Sequence, residues 1–400
     1  MRLQKIQRRI KNKFIKKCAH KLKAGYFILL EAFGSALFFL ARKFRIIPAI
    51  KPYLKEQVKK ILVIRTDRIG DVLLSTPALR ALREHFPDSF IGFLTTSYTG
   101  ELLQENKNIN ELIIYNRFGS LLQKIRFIMK LRAFRFDLAV ILYPVFESGF
   151  LAYLSKAAFR IGYPANGSGF LLTEKVDKRS LYKHEIETCL DVVRPIGVDT
   201  SDLATEFPLS EDAKAFAEGF FRENNILPSQ LVICIHPGAY ESHNRWLPQR
   251  YAKLAETLIA KYNARVILAG GRNDRQMVKS ITNMMPEKPL APVLNDSLQK
   301  LGAIIRRCDL FIGNNSGPMH VAAAVGTPVI ALFGAVHPLE HENKWAPLGE
   351  KNIIVRSKMD CKDCHPGYCR SYKCMDMISV DDVLSAVDTQ LQRTGKKVSA

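Results

Sequence analysis

Asp309-Leu-Phe-Ile-Gly-Asn-Asn-Ser-Gly-Pro-Met-His-Val-Ala-Ala-Ala-Val-Gly-Thr-Pro-Val-Ile-Ala-Leu-Phe333 reads as one βαβ unit. Two short apolar runs, Asp309–Ile312 and Pro328–Phe333, flank a stretch from Pro318 to Val325 that suits a helix. Parallel strands joined by a helix call for this order of elements. Ser316 stands where an N-cap belongs, and Pro318 falls in the first helical turn. The amides from Ser316 to Met319 are then free of helical partners beyond a strand end, where a helix N-terminus attracts an anion such as a diphosphate. A purely structural strand-to-helix turn is the plainer alternative.

The same alternation extends outward in both directions. Leu231–Ile235 and Ala264–Ala269 read as further strands, with helices over Pro248–Tyr262, Asp274–Met284 and Ser297–Arg307. An earlier series opens with the strand Ile61–Ile64 and a helix over Asp71–His85, followed by strands Phe90–Thr95, Glu111–Tyr115 and Phe136–Tyr143. Residues 197–209, with Asp199, Ser201, Asp202 and Pro208, have the composition of a linker. The expectation is therefore an α/β chain with two Rossmann-like domains, 60–205 and 206–400, preceded by an extension over 1–59. Ligands of such sheets gather beyond the carboxyl ends of the strands, so the site belongs in the cleft between the domains. An amphipathic helix over Val380–Leu391 is expected to pack back across the linker.

With 400 residues, 47% of them hydrophobic, the chain has enough apolar material for two cores, which excludes disorder and fibre. The net charge of +21 is concentrated at the amino terminus. Residues 1–60 hold 17 Lys and Arg against Glu31 and Glu56, while the rest is close to balanced, with 42 basic and 36 acidic residues. Ten cations precede the apolar run Tyr26–Ala41, which is sixteen residues long and interrupted by Glu31 and Gly34. That is short of the roughly 20 residues a spanning helix needs. Cations on both sides suit a helix lying on the headgroups of an anionic cytoplasmic leaflet, so an anionic membrane surface is the partner expected of residues 1–45. An ordinary helix packed on the body is the alternative. Nucleic acid is disfavoured, because the aromatics sit in the apolar run and not among the cations.

Three further strand tips carry chemistry. Arg65-Thr-Asp-Arg-Ile-Gly-Asp71 follows the first strand, with Gly70 suited to a tight turn and Asp71 at a helix start that favours an ionised carboxylate. Plain helix capping explains Asp71 equally well. His236-Pro-Gly-Ala239 precedes Asn244-Arg-Trp246, where Arg245 suits phosphate and Trp246 suits packing, and Gly334-Ala-Val-His-Pro338 closes the set. Cys361, Cys364, Cys369 and Cys374 could hold a structural zinc, with His365 as a spare ligand, although reduced thiols fit the irregular spacing better.

Taken in order, the block Ile61–Arg80, His236-Pro-Gly-Ala with Arg245-Trp246, Ala269-Gly-Gly271, and Gly313–Ala323 with Gly334 resemble glycosyltransferase family 9, the heptosyltransferases of the lipopolysaccharide inner core. The resemblance covers about residues 60–395. It implies the GT-B architecture and inverting transfer that needs no metal or other cofactor. Its catalytic aspartate falls on Asp71, as general base toward an acceptor hydroxyl. The amides of Ser316, Gly317 and Met319, with Arg245 and His320, are then expected to stabilise the departing diphosphate. Asp274 matches the carboxylate after the Gly-Gly turn, and Asn244, Asn315 and Gly334 complete the donor side. Arg68, Gly70 and His184 are expected on the acceptor side, although for His184 and Glu185 an exposed helix face is the plainer reading. Asn315 stands where the family often has Asp, and Asn244 where it often has Lys. The resemblance implies ADP-heptose as the donor, these two departures leave another nucleotide sugar open, and a glycolipid of the cell envelope is the implied acceptor. The protein is expected on the cytoplasmic face of the inner membrane.

Other classes fit less well. Neither Gly70 nor Gly270-Gly271 belongs to a G-x-G-x-x-G fingerprint, which argues against a nicotinamide dehydrogenase, and a P-loop is absent from the sequence. A nucleotide-sugar epimerase of the same architecture stays open, but it would not need the basic amphipathic leader. A catalytically silent, membrane-bound scaffold of the same fold has little reason to keep Asp71.

Overall fold

The computed structural model describes residues 23–41, 43–44, 53, 55–177, 180, 182–293, 297–334, 337, 339–359, 361 and 373–396, with backbone only at 291–293. Two six-stranded sheets organise them. The first contains β1 (Lys60–Ile64), β2 (Phe90–Thr95), β3 (Glu111–Ile114), β4 (Leu138–Ile141), β5 (Phe159–Gly162) and β6 (Glu174–Lys175), in the order β3-β2-β1-β4-β5-β6. The second contains β7 (Val232–His236), β8 (Arg265–Ala269), β9 (Leu290–Val293), β10 (Leu310–Asn314), β11 (Val329–Phe333) and β12 (Ile353–Arg356), in the order β12-β11-β10-β7-β8-β9. Every strand pair is parallel, with Val63 opposite both Phe93 and Val140.

Both faces of a parallel sheet lie under helices, so its central strands are apolar throughout. Ile61 to Ile64 are fully buried, as are Leu310 to Ile312. An aspartate pins each series at its entry. Asp137 accepts hydrogen bonds from the amides of Lys59 (3.0 Å) and Lys60 (2.9 Å), and Asp309 accepts one from the amide of Val232 (2.8 Å). In each sheet the chain steps outward from a central strand and returns on its other side, so the order reverses at β1/β4 and at β7/β10. The loops leaving those strands diverge and open a crevice, and these are the tips that carry the sequence motifs.

Four features differ from expectation. The helix over Asp71–His85 is two helices, Ile69–Leu73 and Thr76–His85. Pro77 cannot donate an amide bond within the second helix's first turn, and the hydroxyls of Ser75 and Thr76 donate back to Val72 O and Leu73 O, both at 2.7 Å. The short strands β5, β6, β9 and β12 extend the sheets beyond the expected strands. The last helix, Val380–Thr394, does not return across the linker. It packs on the helix Pro248–Tyr262 and on β12, because Val383, Ala386, Val387 and Leu391 complete the core of the second sheet.

The fourth is the amino-terminal helix, which runs Lys23–Ala41 and at 19 residues is long and apolar enough to cross a membrane. One face of it lies against the first domain. Gly34 meets the Phe170 ring, Phe38 stacks edge-on with Phe170 at 5.1 Å, and Glu31 accepts bonds from the Gly169 amide (2.7 Å) and Lys175 Nζ (3.3 Å). The other face exposes Tyr26, Ile28, Leu29, Phe33, Leu37 and Leu40.

Candidate active site

The loop leaving β1 builds one wall. Arg65 is 1% exposed and fans its guanidinium over three carboxylates, Asp67 Oδ1 at 2.9 Å, Asp71 Oδ1 at 3.0 Å and Glu185 Oε1 at 3.0 Å, while Nη1 donates to Leu142 O at 2.7 Å. Glu185 opens the helix Glu185–Val193 and is fully buried. It also meets Lys344 Nζ of the second domain at 3.0 Å. The exposed helix face read for His184 and Glu185 is therefore an interdomain contact: His184 Nδ1 accepts from the Ile186 amide, so its Nε2–H donates to Ala346 O at 2.9 Å. Burial holds the His184 imidazole below its usual pKa, which keeps it neutral for that bond.

Of the three carboxylates on Arg65, Asp71 is the one that reaches the cleft, with 15% of its side chain exposed against 9% for Asp67 and none for Glu185. Burial raises the Asp71 pKa, Arg65 pulls it back, and Glu185 raises it again, with a net upward shift. Asp67, deeper and facing both other carboxylates, is raised to about 8, with burial as the main cause. Two cations, Arg65 and Lys344, cannot neutralise three buried carboxylates, so the cluster favours holding a proton that Asp71 can exchange with the cleft. The activity of an enzyme with Asp71 as base should accordingly fall on the acid side at a pH above the ordinary carboxylate value of about 4. The sign follows from the base needing to be ionised, since a raised pKa carries the loss to higher pH. A kcat/KM profile whose acid limb falls at about pH 4 or below would contradict this assignment.

The second domain supplies the opposite wall. Asn314, fully buried at the end of β10, donates through Nδ2 to Pro237 O (2.8 Å) and Gly238 O (3.2 Å). Its Oδ1 accepts from the Trp246 amide (3.2 Å) and from Tyr251 Oη (2.8 Å). This hub ties the His236-Pro-Gly loop to β10. Nothing in the sequence pattern separates it from Asn315, whose own amide bonds Leu332 O at 3.3 Å. Trp246 is packed, as its apolar setting suggests. Asp274 lies under Gly238, accepts from the Gly271 amide (3.1 Å) and stands 3.5 Å from His236 Nε2. Burial raises its pKa, but His236, Gly271 and Arg245 together outweigh this and lower it, so the carboxylate is ionised and braces the loop.

Arg245 Nε donates to Ala239 O (2.8 Å), and Asn244 Nδ2 donates to Glu340 Oε2 (2.8 Å). Gly334 is pressed against Met375, leaving no room for a side chain. Ser316 precedes the helix Gly317–Ala324 without capping it, and its buried Oγ has no partner among the described residues. An unpartnered hydroxyl beside the open amides of a helix start suits a phosphate oxygen. Met319 is wholly buried, so only its amide serves this end. Of the four cysteines proposed for zinc, Cys364 and Cys369 lie outside the described residues.

The two walls touch. A Cβ on Gly317 would meet the Ile69 side chain at 2.9 Å, and one on Gly70 would meet His320 Cδ2 at 2.5 Å. His320 is held to about 3 by burial and then by His184, so it can offer a hydrogen bond but not the positive charge that would support a leaving diphosphate. Arg68 spans the mouth, 3.9 Å from the Tyr240 ring and 3.5 Å from Glu241 Oε1. Gly70→Ala should thus force the walls apart and cost about 1–3 kcal/mol, read as a lower thermal midpoint. An unchanged midpoint would mean that the domains stand apart in solution.

The chain is similar to known proteins over most of its length. It matches the family model for glycosyltransferase family 9 (heptosyltransferase) across residues 124–374. Lipopolysaccharide heptosyltransferase 3 of Escherichia coli is 28% identical over 337 residues, covering 80% of this chain and 96% of its own. The lipopolysaccharide core heptosyltransferase OpsX of Haemophilus influenzae is 25% identical, covering 76% of this chain and 86% of its own. Among solved structures, a family 9 glycosyl transferase from Veillonella parvula aligns with a TM-score of 0.76 at 24% identity, over 86% of this chain and all of its own. E. coli ADP-heptose lps heptosyltransferase II aligns at 0.71 and 23% identity, over 84% of this chain and 99% of its own, and both share the two-domain GT-B fold. The facing walls, the order of the motifs and these likenesses agree: the chain is a glycosyltransferase and belongs to glycosyltransferase family 9, the heptosyltransferase family.

Proposed function

We propose that this glycosyltransferase moves heptose from ADP-heptose onto the lipopolysaccharide core or a related envelope glycolipid, with inversion at the anomeric carbon. The observation that carries the reading is Asp71, a carboxylate with a raised pKa and one edge in the cleft, opposite the open start of the helix Gly317–Ala324. In this scheme the diphosphate lies along the amides of Ser316, Gly317 and Met319 and takes Ser316 Oγ as a donor. The acceptor hydroxyl sits against Asp71, which removes its proton as the oxygen attacks the anomeric carbon from the face opposite the leaving diphosphate. A single displacement inverts that centre. Arg245 supplies positive charge on the donor side, and no step calls for a metal. The names of the relatives support heptose and lipopolysaccharide, and solved relatives bound to ADP and to an ADP-heptose analogue support the donor class.

The exposed apolar face of the helix Lys23–Ala41 and the ten cations before it support a place on the cytoplasmic face of the inner membrane, within reach of a glycolipid acceptor. Calorimetric titration with ADP-, UDP- and GDP-sugars tests the donor. Selective binding of ADP-heptose is expected. A preference for another donor would trace to Asn244 and Asn315 and move the enzyme elsewhere in envelope glycan assembly, and no binding across the panel would overturn the reading.

A further inference from the structure

The helix Leu121–Ala133 carries the chain from β3 to β4 over the outer face of the first sheet, and Leu131 is its one buried residue. Phe127 leans on Tyr115, with ring centroids 5.1 Å apart. Ile128 is half-buried, and five other large apolar side chains on the helix and the turn before it face away from the protein. Phe118 is 94% exposed, Leu121 75%, Leu122 57%, Ile125 46% and Met129 65%. Their spacing of three and four residues sets them in one stripe along the helix and the turn before it. Crossover helices ordinarily turn such a stripe toward the sheet.

Charge identifies what covers it. Residues 116–136 contain Arg117, Lys124, Arg126, Lys130, Arg132 and Arg135 and no carboxylate. Glu147 pairs with Arg117 at 2.8 Å, which leaves five cations, and a second copy of this chain docked face to face would set five against five, which disfavours self-association through this stripe. An anionic bilayer accepts both components, with the apolar stripe below the headgroups and the cations among them. The helix Leu121–Ala133 also adjoins the helix Phe146–Leu154, where Arg132 Nε donates to Leu154 O (2.8 Å), and aromatic contacts run on from there to the amino-terminal helix. Phe150, 42% exposed on the helix Phe146–Leu154, stacks on Phe146 at 5.9 Å, Phe146 lies 6.4 Å from Phe170, and Phe170 touches Phe38 of the amino-terminal helix. These helices share one side of the first sheet.

We propose that the stripe Phe118, Leu121, Leu122, Ile125 and Met129 seats the first domain on an anionic phospholipid bilayer, as a second contact beside the amino-terminal helix. Phe118 and Leu121 follow the carboxyl end of β3, the same end of the sheet as Asp71, so this seating turns the acceptor wall of the cleft toward the lipid surface. That last consequence rests on the proposed glycolipid acceptor, whereas the bilayer contact itself does not.

The test uses full-length Ile125→Trp with phosphatidylglycerol vesicles whose acyl chains are brominated. Trp246 and Trp345 supply a background measured in the unmodified protein. Most of the added emission should be quenched on anionic vesicles and little of it on phosphatidylcholine vesicles. A protein that binds the vesicles while the introduced tryptophan stays unquenched would overturn the proposal, since the amino-terminal helix would then be the contact. So would a concentration-dependent dimer that Ile125→Glu abolishes. The double variant Ile125→Glu, Met129→Glu, checked for folding by circular dichroism, should partition into anionic vesicles about tenfold less. It should keep turnover on a water-soluble acceptor and lose it on a vesicle-embedded one. Quenching with no turnover on either acceptor leaves the contact standing and sinks the reading of function.

Discussion

Asp71→Asn should lower turnover by about two to four orders of magnitude, the range expected when a positioned base is removed, while donor affinity stays as it was. The separation follows from where the groups sit. Asp71 is on the β1 side of the cleft, whereas the candidate donor groups Ser316, Arg245 and Asp274 are on the β7 and β10 side. The substitution is also gentle on the fold, because an asparagine Oδ1 can still accept from Arg65 Nη2, now 3.0 Å from Asp71. Loss of charge from a cluster with too many carboxylates should relieve it. Calorimetry with the donor and a turnover assay on the same preparation separate the two effects. Retained turnover would sink the general-base assignment, and lost donor binding would mean that Asp71 contacts the donor.

The central strands were legible because a parallel sheet needs unbroken apolar runs, and β1, β7, β10 and β11 have them. The edge strands were not, since β6 has two residues and β9 pairs irregularly with β8, so neither carries a period. The helix Leu121–Ala133 is apolar or cationic at nearly every position, which hides a helical face from pattern reading. At the site, the motif tips come together at the two reversal points of strand order, which topology rules anticipate. What a linear reading could not supply is the partner of each charge. Arg65 and Glu185 are 120 residues apart, and Lys344 approaches from the other domain. Glu185 looked like a solvated helix start because burial of a glutamate makes sense only when both cations are in view.

Arg65→Met should be the most damaging substitution for stability, at about 3–5 kcal/mol, the usual cost of removing one partner from a buried ion pair. Methionine fills the space but leaves Asp67 and Asp71 with no cation in contact, and Glu185 with Lys344 alone. The loss should depend on pH in a definite direction. In the unfolded chain these carboxylates titrate near about 4. In the folded protein Asp67 and Asp71 are already raised, with burial as the first cause, and Arg65 is the main group pulling them back. Without it both rise further. A carboxyl whose folded pKa is raised contributes stability that is fully present below its unfolded pKa and lost as pH rises through the folded one. The deficit of Arg65→Met should thus be smallest near pH 4 and grow as pH rises through the native folded values, Asp67's at about 8, where the native protein gives up protons that the variant still holds. Denaturant midpoints across that range measure it. Adding Asp67→Asn should recover part of the loss at high pH by removing one unpaired charge, and Arg65→Lys should recover less than the native side chain, because an ammonium cannot span three carboxylates. Equal midpoints for Arg65→Met and the native protein at pH 8 would mean that water reaches the cluster and the carboxylates are not buried, which would also remove the physical basis for a raised pKa at Asp71.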